Sequence, residues 1–140
     1  MRANKKLLAV IDTNVLLVSI SSRSKFHWIY EAILSGVFEL AITPDIMLEY
    51  EEKISEHWSA SVASNVVRSI TELSTTVMIS VYYNLNLISS DEDDNKFVDC
   101  AFAANADLIV THDNHFNILK RVDFPRIPVV DVPEFKRRLT

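Results

Sequence analysis

Two apolar, β-branched runs about a hundred residues apart each close on an aspartate: LLAVIDTN at 7–14 and ADLIVTHDNHF at 106–116. An apolar run of this length with polar ends reads as a strand buried on both faces, as in a parallel sheet covered by helices. Asp12 and Asp113 then stand at strand carboxyl ends, where open α/β sheets bind their ligands. If the two strands are neighbours, two negative charges enter one crevice, and that geometry calls for a divalent cation.

The remainder of the chain alternates strand and helix. A strand over 6–11 is followed by a helix through Phe26, Ile29, Tyr30, Ile33 and Leu34, with Gly36, the single glycine, at its C-terminal cap. A second strand spans 38–42. A helix over 45–55 turns Ile46, Met47 or Leu48, and Ile54 inward, and a helix over 59–73 carries the stripe Val62, Val66, Ile70 and Leu73. A third strand at 77–81 leads into a polar connection, 82–93, that ends in DEDD. The helix over 94–105 buries Phe97, Cys100, Ala101 and Ala104. A strand at 108–111, a short helix at 113–119 and an edge strand at 127–130, flanked by Pro125 and Pro128, complete the pattern. This order predicts one domain over 1–140 with a parallel sheet covered on both faces.

With 140 residues, nearly half of them apolar, the chain can enclose a substantial core. A lone cysteine excludes an internal disulfide framework and suits a reducing compartment. The basic start MRANKK followed by LLAVI superficially resembles a secretion signal, but Asp12 and Asn14 interrupt the apolar run too early. No segment approaches membrane-spanning length, so a cytoplasmic protein is expected. A net charge of −5 argues against a purely electrostatic nucleic-acid binder, though not against a nucleic-acid enzyme whose active-site carboxylates are masked by cations.

Several acids merit separate weighing. Asp12 is either a helix N-cap or a site residue, and the wholly apolar strand before it favours the site. Asp113 faces the same choice. Asp94 closes the run Asp91-Glu92-Asp93-Asp94 at a helix start, where the helix dipole favours acids. Four carboxylates in succession repel one another, however, which the dipole does not explain. Spacing alone does not separate Glu49 from Glu51 or Glu52, and Asp99 is either a supporting acid or an exposed one. An all-carboxylate set without clustered cysteine or histidine suits Mg²⁺ or Mn²⁺, which can serve phosphodiester hydrolysis.

Across nearly its whole length the chain resembles the PIN-domain family of metal-dependent ribonucleases, and most closely the VapC-type toxins of toxin–antitoxin pairs. VIDTNVLL, ITPDIMLEYEEKI, DEDDNKFVDCAFAANAD and LIVTHDNHF carry the likeness. Position by position, it places the family's acidic quartet on Asp12, Glu49, Asp94 and Asp113 and so selects Glu49 among its neighbours. Asp99 matches a frequently acidic position, and Thr13, Asn14 and Thr111 match supporting polar ones. His112 and His115 depart from the family pattern and are read as surface residues. The resemblance implies a three-layer α/β/α sandwich with a short central parallel sheet. It also implies hydrolysis of single-stranded RNA by water with one or two bound Mg²⁺ or Mn²⁺, a homodimer, and an antitoxin partner that blocks the acidic site.

Arg23, Lys25 and Lys96 are candidate phosphate contacts, Lys136-Arg137-Arg138 is too short for a nucleic-acid patch, and Trp28 and Trp58 suit core or interface packing. An aspartate-nucleophile phosphatase would need a second aspartate where Asn14 stands. A non-catalytic receiver-like domain would place a lysine where Thr111-His112-Asp113 stands. A PIN nuclease of RNA processing, or one acting on structured DNA, has the same sequence signature as a toxin.

Overall fold

A computed structural model describes residues 6–88, 94–112, 116, 119 and 126–140. They form a five-stranded sheet and six helices arranged as a three-layer α/β/α sandwich. The strands are β1 (Leu8–Ile11), β2 (Glu39–Ile42), β3 (Thr76–Met78), β4 (Leu108–Val110) and β5 (Val129–Val130). The helices are α1 (Thr13–Ser19), α2 (His27–Leu34), α3 (Pro44–His57), α4 (Ala60–Thr71), α5 (Asn95–Ala104) and α6 (Val132–Leu139).

The sheet order is β3-β2-β1-β4-β5, and every pair is parallel. The chain therefore builds outward from β1 in one direction through β2 and β3, then returns to its other side with β4 and β5. β1 and β4 flank the switch point, the position at which such sheets open a crevice. Their register sets Ile11 beside Val110, so both strands end at the same level. All of β1 and β4 is buried, as expected for strands covered on both faces. β5 lies at the sheet edge, where the flanking prolines place it.

Local chemistry accounts for several boundaries. Gly36 adopts φ +70° after α2. Its N–H bonds to Ile33 O (3.1 Å) and that of Val37 to Ala32 O (3.1 Å), the paired bonds of a Schellman cap. Thr43 caps α3 by accepting from Ile46 N–H (3.1 Å), with Pro44 in the first turn, and Ser59 caps α4 likewise from Val62 N–H (3.1 Å).

Two helices differ from the sequence reading. α1 begins directly after β1, where no helix was expected, because TNVLLVS carries no periodic polar face. α6 was likewise not anticipated. Asp131 caps it from Glu134 N–H (2.9 Å), and Phe135 holds it to the core against Phe38 (5.0 Å between rings) and Trp28 (5.9 Å). Within α3 the inward residue is Tyr50, fully buried, whereas Leu48 is 63% exposed. In α4, Ala63 rather than Val62 lies fully inside with Val66 and Ile70. The helix read over 113–119 falls outside the described residues apart from Phe116 and Leu119, both buried. Among the described residues no helix is long and apolar enough to cross a membrane.

Candidate active site

Asp12 lies one residue past β1, and its backbone N–H continues the ladder to Val110 O (3.0 Å). The residue occupies the N-cap position of α1 (φ −60°, ψ 144°), yet its carboxylate makes no capping bond. Its Oδ2 instead accepts the Thr111 hydroxyl at 2.8 Å, across a sequence separation of 99 residues. Both groups are buried. The pairing of β1 with β4 thus brings a hydroxyl from one strand end onto a carboxylate at the other.

Glu49 comes to the same region from α3. Thr13, the residue after Asp12, donates its hydroxyl to Glu49 Oε2. Lys96 Nζ donates to Glu49 Oε1 at 2.6 Å, and both side chains are largely shielded from solvent. Glu51 and Glu52 are exposed, so the fold separates Glu49 from the neighbours that spacing could not distinguish. Next to it, Tyr50 passes beneath the end of β1 and donates its hydroxyl to Ile11 O at 2.6 Å. Burial foremost, with the nearby charges of Cys100, Asp12 and Glu49, holds this phenol well above its ordinary pKa, so it remains a neutral donor. Sequence reasoning missed Tyr50. Its signal was an aromatic at i+4 from Ile46 and i−4 from Ile54.

Asp94 occupies the N-cap position of α5 without a capping bond and is buried. Its Oδ2 is enclosed and makes no hydrogen bond, while the residue as a whole is engaged elsewhere. α5 packs on β1, β2, β4 and α3, which sets its first turn near the strand ends.

The remaining candidates scatter. Asn14 is exposed in the first turn of α1. Asp99 is buried, but its Oδ1 accepts the backbone N–H of Leu85 (2.9 Å) in the segment before the DEDD run. Desolvation holds its carboxyl above the ordinary value, with the Leu85 bond opposing. Lys96 serves Glu49 rather than standing open at the rim. His112 is exposed, its ring 5.8 Å from Phe26. Arg137 and Arg138 both pair with Glu134 (2.7 Å each), and Lys136 lies over Trp28 (5.6 Å), so the short basic run is occupied locally. Asp113, His115 and Asp91 to Asp93 lie outside the described residues.

Among the described residues no three acidic, histidine or cysteine side chains come close enough to hold an ion by themselves. The donors present, Asp12, Glu49 and Asp94, are nonetheless all hard oxygens, two of them buried, and Thr111 and Thr13 orient the first two. Oxygen donors of this kind suit a hard divalent cation.

Residues 8–115 match the family model of the PIN domain. No curated protein sequence matches the chain. Among solved structures the fold is similar to that of VapBC2 from Rickettsia felis bound to a DNA fragment from their promoter. The TM-score is 0.61 at 15% identity, over 89% of this chain and 98% of that one. It is also similar to PAE2754 from Pyrobaculum aerophilum, with TM-score 0.60 and 13% identity, over 96% of this chain and 89% of that one.

Proposed function

This chain belongs to the PIN-domain family, and from that premise we propose that it is a metal-dependent endoribonuclease cutting single-stranded RNA. The observation that carries the reading is Asp12. It is a buried carboxylate at the switch point of a parallel sheet, set at a helix N-cap but held by Thr111 instead of capping. A carboxylate buried for packing or capping would not be placed so.

In this reading Asp12, Glu49, Asp94 and Asp113 hold one or two Mg²⁺ or Mn²⁺ ions. When bound, such an ion supplies an activated water and stabilises charge on the phosphate. The chain's own residues prepare the site. Thr111 fixes the rotamer of Asp12, Thr13 fixes that of Glu49, and Tyr50 packs α3 on the end of β1. Lys96 neutralises Glu49 at one oxygen. Asn14 and Asp99 play supporting parts, Asp99 by holding the chain that leads into the acidic run. The likeness to VapC-type toxins, together with the VapBC2 structural neighbour, supports the toxin half of a toxin–antitoxin pair, cytoplasmic and homodimeric, restrained by a cognate antitoxin protein.

The test is cleavage of a panel of single-stranded RNAs and DNAs with Mg²⁺, Mn²⁺ or EDTA, with Asp12→Asn run in parallel. RNA cutting that needs the metal and vanishes in the variant is the expected result. Cutting that persists in EDTA, or in Asp12→Asn, overturns the assignment.

A further inference from the structure

Segment 79–88, between β3 and the acidic run, is anchored at its downstream end and turns at a left-handed Asn86 (φ 53°), yet presents aromatic rings outward. Leu85 N–H bonds to Asp99 Oδ1 (2.9 Å), Ile88 N–H to Asn95 Oδ1 (2.8 Å), and Asn95 Nδ2 returns to Ile88 O (2.8 Å). Leu85 and Leu87 pack on the core and Ile88 is buried within it. Just upstream of these anchors the segment carries Tyr82 and Tyr83 at 84% and 75% exposure, the two most exposed of the large apolar side chains described. Burial within the chain does not account for two adjacent bare rings, and such rings mark a contact surface.

Beside them opens a cavity of about 940 Å³ lined in part by Ser80, Asn84, Asn86, Asn95, Lys96 and Asp99. Asn84 and Asn86 are exposed beside the partly buried Leu85 and Leu87, and no hydrogen bond among the described residues occupies their amides. Two carboxylates, Asp45 and Asp99, also border the cavity, which disfavours a phosphate within it. Amides present donors and acceptors together, as the edge of a nucleobase requires. Lys96 borders this cavity and bonds Glu49 as well, so the cavity lies next to Glu49, with Lys96 between them.

We propose that segment 79–88 is the base-binding face of the protein: Tyr82 and Tyr83 stack on bases of single-stranded RNA, and Asn84 and Asn86 contact a base edge beside the scissile phosphate. This rests on the nuclease reading. A chain of net charge −5 gains little RNA affinity from counterion release. Stacking supplies affinity that does not depend on charge.

Binding is measured by fluorescence anisotropy with fluorescein-labelled RNA dodecamers of mixed sequence in EDTA, beside cleavage of the same RNAs in Mn²⁺. Tyr82→Ala/Tyr83→Ala weakens binding at least about fivefold for each stack lost, with an unchanged melting temperature because both rings are exposed. Tyr82→Phe/Tyr83→Phe, which keeps the rings, retains it, and wild-type affinity falls only shallowly with salt. If the wild type binds and cuts RNA while the alanine pair binds equally well, the proposal is overturned, the nuclease reading stands, and the rings belong to a protein partner. If the wild type neither binds nor cuts any RNA, the nuclease reading fails and this proposal with it.

Discussion

Asp12 and Asp99 are both buried aspartates within a few residues of an acidic or polar motif, but they receive different kinds of donor. Asp12 accepts a hydroxyl from Thr111, a side chain on another strand, and stands at the sheet's switch point. Asp99 accepts a backbone N–H from Leu85, and with Asn95 it pins an extended segment to α5. A donor from a distant side chain orients the carboxylate without tying it to the backbone. A backbone donor makes the carboxylate part of the scaffold. The same contrast separates the three hydroxyls of the site: Thr13 and Thr111 hold carboxylates, whereas Tyr50 holds the carbonyl of Ile11 and thereby the packing of α3 on β1.

The comparison breaks most visibly at Asp12 itself. Asp12→Asn is expected to lower RNA cleavage by more than about 100-fold, beyond the usual loss from an outer partner, with a melting temperature equal to or above that of the wild type because like charges no longer face each other. Cleavage within a few-fold of wild type would show that Asp12 is scaffold too. Next, Thr111→Val removes the orienting donor and should reduce activity or metal affinity about 10- to 100-fold, with a stability loss on the order of 1 kcal/mol in urea unfolding. A loss confined to stability would place Thr111 with the scaffold.

Tyr50→Phe should act in the opposite sense. It leaves the buried Ile11 carbonyl without its donor and costs about 1–3 kcal/mol of stability, visible in the urea midpoint, while cleavage by the folded fraction changes little. Smallest is Asp99→Asn. Because burial raises the folded pKa of Asp99 above its unperturbed 3.8, its contribution to stability is full below that value and declines as pH rises through the folded value. An asparagine keeps an acceptor for Leu85 without the buried charge. The variant should therefore match or exceed wild-type stability at pH 7, lose that advantage toward pH 4, and cleave RNA normally. Activity lost while stability holds would move Asp99 into the catalytic set.

Much of this was legible in the sequence. The β-branched runs marked β1 and β4 as buried strands, and their order in the chain implied a parallel sheet. The glycine at position 36 marked a cap because few other residues adopt φ +70°. What escaped depended on partners far away in the chain. The Lys96 ammonium meets a carboxylate 47 positions away, and Asp99 meets a backbone amide, which no pattern of side chains encodes. α1 was missed because its exposed side carries the apolar Val18, and a helix without a polar face lacks the periodicity that reveals an amphipathic one. Met47 or Leu48 was expected inside and Tyr50 was not, since hydropathy ranks both higher; Met47 packs partly on the core while Leu48 is exposed. The geometry of α3 instead turns the phenol toward a carbonyl it can satisfy.

The bond from Thr111 to Asp12 spans 99 residues, and the ladder from β1 to β4 spans as many. Contacts of this range form late, after the intervening chain has collapsed and the loop has closed. A ribosome that has made β1, β2 and β3 has made most of the core but has yet to supply the strand that completes the switch point. A chain truncated before β4 therefore leaves Asp12 without its orienting hydroxyl. On the nuclease reading proposed above, that order of assembly leaves the site incomplete until β4 has been made.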